Sequence, residues 1–114
     1  MKFADKLAPK VVRLDFDEKY TRLFSTKNNT ALSCRSGCVI LREDESIGEH
    51  STDSAEELLI ILNGKGELFI EKSEKLNFEK NVAIYIPPNT IHDIKNVGRG
   101  ILKYIFFSCP VAKR

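Results

Sequence analysis

Histidine is scarce in this chain of 114 residues: only His50 and His92 occur, so any chemistry that needs an imidazole must use one of two positions. Cysteine is scarce too. Three is an odd number, and Cys34 and Cys38, four apart, have no second nearby pair of the kind a structural zinc site uses. The cysteines therefore read as small apolar fillers of a reduced core, with Cys109 beside Pro110 the one candidate for a reactive thiol. An excess of one charge is also missing. The 18 basic and 16 acidic residues leave a net charge of +2, spread along the chain, which gives no electrostatic footprint for a nucleic-acid partner. No apolar run approaches the roughly 18 residues that cross a bilayer, and Met1–Pro9 lacks the apolar centre of a secretion signal, so no membrane partner and a cytoplasmic location are expected. The length suits a single domain, residues 1–114, with one core.

Strand signals dominate beyond residue 30. Cys38–Glu43, Glu57–Asn63, Glu67–Lys72, Val82–Pro87 and Ile101–Phe107 are short, rich in Ile, Val, Leu and aromatics, and bounded by polar, Gly or Pro clusters that suit tight turns. Five or more strands at such close spacing argue for an all-β sandwich or barrel. The first thirty residues form a less decided extension: Val11–Phe16 could be an edge strand and Asp17–Ser25 a helical turn or more.

Alternation along strands places Glu57, Leu59 and Ile61 on one face, and His92, Ile94 and Asn96 on another. If those faces line a barrel, one carboxylate and two imidazoles converge from three strands: His50, Glu57 and His92. That is the two-histidine, one-carboxylate set that suits a divalent transition metal with positions left open for substrate. The plainer alternatives stand beside it. His50 could be a solvated turn residue next to Glu49, and His92 a rim histidine after Pro87-Pro88. A carboxylate entering an apolar run is costly without a partner, and Glu56, its rival, is turned outward by the same alternation. Asn96 suits a structural role, bonding backbone across a turn. Leu59, Ile61, Ile84, Ile86 and Ile94 read as core or pocket wall.

These residues also carry a resemblance. Asp44–Gly64 is similar to the first motif of the cupin superfamily: a glycine, five residues, His-x-His, three or four residues, a glutamate, six residues and a glycine. Asp44, His50, Thr52, Glu57 and Gly64 fall at those positions. Asn81–Asn96 resembles the second motif, with Asn81, Pro87, Asn89, His92 and Asn96 in frame. The resemblance implies a double-stranded β-helix, the jelly-roll cupin barrel, and a metal held by His50, Glu57 and His92. Three motif glycines are replaced by Asp44, Asn81 and Asn89, the residue types that best tolerate a left-handed backbone after glycine itself. Thr52 stands where the second histidine would be. A hydroxyl is a poor ligand, so Thr52 reads as a pocket residue, and whether a metal is retained stays open.

Cupins include dioxygenases, isomerases, decarboxylases and binding proteins, and the fold does not choose among them. The resemblance implies a small-molecule ligand or substrate, with Thr52, Tyr85 and Tyr104 as pocket residues and iron, manganese, nickel or zinc as the metal. No residue is singled out as catalytic. The alternative is a small-ligand-binding or oligomerising cupin that has lost its metal. Exposed edge strands make a homodimer the expectation in either case.

Overall fold

The computed structural model describes residues 7–112; residues 1–6 and 113–114, and with them most of the Met1–Pro9 segment read above, lie outside it. Nine strands follow in order: β1 (Tyr20–Ser25), β2 (Arg35–Leu41), β3 (His50–Ser51), β4 (Ala55–Asn63), β5 (Lys65–Ile70), β6 (Glu74–Glu79), β7 (Ala83–Ile86), β8 (Ile91–Asn96) and β9 (Leu102–Pro110). They form two antiparallel sheets, β1-β2-β9-β4-β7 and β3-β8-β5-β6. This is the all-β, jelly-roll arrangement the sequence suggested.

Alternating side chains from both sheets meet between them. Val39, Leu41, Leu59, Ile61, Leu102 and Tyr104 come from the larger sheet and Leu68 and Ile94 from the smaller, with Ile86 of β7 closing the same core. Leu59, Ile61, Ile86 and Ile94 are buried as their periodicity implied, and Ile84 packs against them. Asn96 is also buried; its side-chain amide donates to the carbonyls of Leu41 and Gly100, and its oxygen accepts from the Gly98 N–H. It ties the end of β2 to the β8–β9 connection, the structural role expected of it.

The N-terminal extension departs from expectation. Val11–Phe16 forms no strand, and Val11 is almost fully exposed. Asp17–Ser25 is not helical: Tyr20–Ser25 is the edge strand β1, with Tyr20 paired to Val39 and the Tyr20 ring stacked on Phe106 at 6.0 Å. A free sheet edge and an aromatic partner, both distant in sequence, outweigh a weak local preference. The helical component shrinks to one 3-10 turn, Thr26–Asn28, started by the Ser25 hydroxyl accepting from the Lys27 N–H.

β6 has no counterpart among the expected strands, whereas the strand expected at His50 is the two-residue β3. β6 is polar because it is the outer edge of the smaller sheet, where only Phe78 packs against the core. The β5–β6 turn places Glu71 and Lys72 at φ 52° and 62°, two left-handed residues in succession as in a type I′ hairpin turn, so β5 stops at Ile70 rather than at Lys72. Neither residue is glycine or asparagine. Replacing Lys72 with glycine is therefore expected to stabilise the protein by about 0.5–1 kcal/mol, seen as a higher urea midpoint at unchanged slope. The exposed Lys72–Glu49 ion pair that is lost, 3.5 Å long, offsets little of this.

The replaced motif glycines behave as their chemistry suggests: Asp44, Asn81 and Asn89 have φ of 64°, 71° and 53°. Gly64 is different. It is the single residue between β4 and β5, where the chain leaves the larger sheet for the smaller, at φ 92° and pressed against Ile101.

Candidate metal centre

The three candidate residues do meet. Strand β3 pairs with β8 so that His50 lies directly opposite His92, with ring centroids 4.2 Å apart and tilted by 58°. Glu57 reaches them from the other sheet, where β4 holds it between Ile86 of β7 and Ser108 of β9. One ligand atom from each of His50, Glu57 and His92 lies within 4.8 Å of the others.

The hydrogen bonds orient both imidazoles. Nδ1 of His50 is 2.8 Å from the Gly48 carbonyl and Nδ1 of His92 is 3.0 Å from that of Thr90. A carbonyl only accepts, so each Nδ1 carries a proton and Nε2 is the position left for a lone pair. His92 is buried, and its Nε2 has no hydrogen-bond partner among the described residues; it lies 3.9 Å from Glu57 Oε1. Burial lowers the His92 pKa, so at neutral pH the ring is uncharged and the lone pair is free. Burial also raises the Glu57 pKa, while His50 and Arg35 act in the opposite direction. Two imidazoles with a carboxyl group beside them, each imidazole held by a backbone carbonyl, match the way metal-binding histidines are usually oriented.

The cluster opens into a pocket of about 420 Å³ between the sheets. Tyr104 lines it, buried on β9 as one of the expected pocket residues, its phenol pushed up by burial and by the nearby Glu57. Tyr85 does not line it. The β7 alternation sends Ile86 inward and Tyr85 outward, where the phenol donates to Glu56 at 2.8 Å on the exposed face. The outward turn expected of Glu56 is met by the same contact.

Among the lining residues that were not foreseen are Tyr20, Arg35, Phe106 and Ser108. Arg35 donates to the Ser108 hydroxyl at 3.5 Å and makes no ion pair among the described residues. Their only sequence signal is alternation along β1, β2 and β9, which is silent until the strands are put in register.

A family model of the cupin domain matches residues 37–108, well over half of the chain. The chain belongs to the cupin family. An uncharacterized protein of Methanocaldococcus jannaschii is 39% identical over 61 residues, and the match spans 54% of this chain and 48% of that one, about half the length of the relative. Among solved structures, an RmlC-like cupin family protein with a double-stranded β-helix fold from the same organism superposes with a TM-score of 0.72 at 22% identity, covering 90% of this chain and 91% of that one. A cupin protein from Bacteroides fragilis gives 0.74 at 18% identity, over 94% and 86%. At such identities the likeness concerns the fold.

Within this cupin, Thr52 has a use other than ligation. Its hydroxyl donates to the Pro87 carbonyl at 2.7 Å and accepts from the Thr90 N–H at 3.1 Å, so it fastens the end of β3 to the loop that delivers His92. Thr52 borders the pocket, but its hydroxyl is committed to backbone. The isosteric Thr52→Val leaves the Thr90 N–H unpaired in a buried setting and is expected to cost about 1–3 kcal/mol in chemical denaturation. Thr52→Ser, which keeps the hydroxyl, should retain most of that stability.

Proposed function

We propose that this cupin acts as a single domain that holds one divalent transition metal, iron, manganese, nickel or zinc, on Nε2 of His50, Nε2 of His92 and the carboxylate of Glu57, and binds or transforms a small organic molecule in the adjoining pocket. The observation that carries the reading is the buried, partnerless Nε2 of His92, aimed at Glu57. A buried polar atom without a partner is costly, and a cation shared with Glu57 and His50 would satisfy it. When bound, such an ion would supply Lewis acidity or an acidified water.

This chain's own residues suggest which molecules suit the pocket. Arg35 offers an unpaired guanidinium at a wall otherwise made of Tyr20, Phe106 and Ser108. A small acid could present one oxygen to the ion and a carboxylate to Arg35, which is suited to bidentate binding. Arg35→Gln is expected to weaken a carboxylate ligand at least about tenfold while leaving metal affinity within about twofold, since a charge-assisted hydrogen bond is worth roughly 1.5–3 kcal/mol. Calorimetric titration, first with metal and then with malonate and 2-oxo acids, separates the two effects. A tag-free protein that takes up no metal under metal-replete conditions would sink the reading.

A second reading, a ligand-binding cupin without a metal, draws on Thr52 at the second histidine position of the motif. Either version is compatible with a homodimer. Leu58, Ile60, Leu62 and Tyr85 leave an exposed, largely apolar outer face on β4 and β7, which a second copy could cover. Sedimentation as a monomer at micromolar concentration would remove the dimer. Three free cysteines fit the reducing cytoplasm.

A further inference from the structure

Strands β2 and β9 are in unbroken antiparallel register from Leu41 opposite Leu102 to Arg35 opposite Ser108. Cys34 immediately precedes β2, and continuing the register by one residue would set it opposite Cys109. Cys109 is fixed from its other side as well, because β4 pairs Glu56 with it. Arg35 and Ser108 both line the pocket. By alternation their neighbours Cys34 and Cys109 belong to the other side of the sheet. Directly opposed residues of an antiparallel pair have Cα atoms about 4.5–5.5 Å apart, inside the roughly 4.4–6.8 Å that a disulfide spans.

We propose that Cys34 and Cys109 are a dithiol that closes reversibly to a disulfide by exchange with low-molecular-weight disulfides. Both cysteines are partly exposed, as a site open to a small reagent must be. Cys38 is four residues away but fully buried, opposite Ile105, and has no sulfur across from it. The Cys109 pKa is raised by burial first, then by the Cys34 thiol and by Glu56, which is a second sign that the two thiols are neighbours.

The chemistry balances in two steps. The Cys34 thiolate attacks one sulfur of the small disulfide, forming a mixed disulfide and expelling one small thiolate. Cys109 then loses its proton to solvent and attacks the Cys34 sulfur, which expels the second small thiolate. The small disulfide is reduced by two electrons, and the protein loses two hydrogen atoms. Burial pushes the Cys109 thiol up, so its attack, and with it closure, quickens as pH rises. The new bond ties the start of β2 to the end of β9, next to the pocket residues Arg35 and Ser108.

The test treats the folded, dilute full-length chain with excess oxidised glutathione, then alkylates it in denaturant and weighs it. The expected product is monomeric, lighter by two hydrogens, with Cys38 its one alkylatable thiol and a peptide pair joined through Cys34 and Cys109. Cys38→Ala should oxidise like the parent. Cys109→Ser should stop at one glutathione on Cys34, and a reductant should restore both thiols in the parent. Three alkylatable thiols after treatment, a lasting glutathione adduct in the parent, a bridge that includes Cys38, or a bridge only between chains would each overturn the proposal.

Discussion

Replacing His92 with alanine should lower metal affinity by at least about 100-fold, beyond the roughly 10–100-fold typical of losing a residue that merely supports a ligand. His92 is the most enclosed of the three proposed ligands, and its Nε2 has no protein partner to fall back on. The alanine variant also empties space in the core, so a loss of affinity could be confused with a loss of fold. His92→Leu separates them. In metal-free protein, leucine fills the site and removes the partnerless nitrogen, while the Thr90 carbonyl loses the ring N–H that it accepts from. These effects oppose each other, and the metal-free stability of His92→Leu is expected within about 1 kcal/mol of the parent. Metal titration of chelator-treated samples should show the parent binding one ion and His92→Leu binding none. Equal affinity in both would mean that the ring is only a buried histidine.

Gly64→Ala is expected to be the most damaging of the glycine substitutions at a turn. A left-handed backbone alone costs an alanine about 1–2 kcal/mol. Here the added Cβ would also lie 2.5 Å from the Ile101 carbonyl oxygen and 2.8 Å from the Leu102 Cα, both backbone atoms that no rotamer change can move. Since β4 and β5 belong to different sheets and meet at this residue, a shift here propagates into both. A loss of roughly 3 kcal/mol or more follows. Gly100→Ala is the control: it has φ 85° but nothing within 4 Å of the added atom, so it should show the backbone cost alone. Equal urea midpoints for the two variants would remove the steric part of the argument.

Much of this was legible beforehand because it is local. Alternation in Glu57-Leu58-Leu59-Ile60-Ile61 and in His92-Asp93-Ile94-Lys95-Asn96 assigns inward faces whatever the strands pair with, and the burial of Leu59, Ile61, Ile94 and Asn96 follows. Asp44, Asn81 and Asn89 at motif glycine positions announced left-handed turns because their short polar side chains tolerate that backbone. Tyr85 was misjudged although alternation already spoke against it: Ile84 and Ile86 on either side take the inward face and turn it outward. Strand β1 was misjudged because its partner lies beyond the turn at residues 26–34, and β6 because an outer edge needs few apolar residues.

The amino-acid sequence by itself determined the all-β class, the two motif segments, the alternating core and the three residues worth testing as ligands. Only the tertiary structure decided that His50 and His92 stand side by side with their Nδ1 atoms held by backbone carbonyls, that Thr52 is spent on the Pro87–Thr90 loop, and that Arg35 enters the pocket. The physical reason is the same in each case. A strand's periodicity tells a side chain which face it belongs to, but what it touches depends on strand register, and register is set by pairings between segments as much as 73 residues apart, as for Arg35 and Ser108.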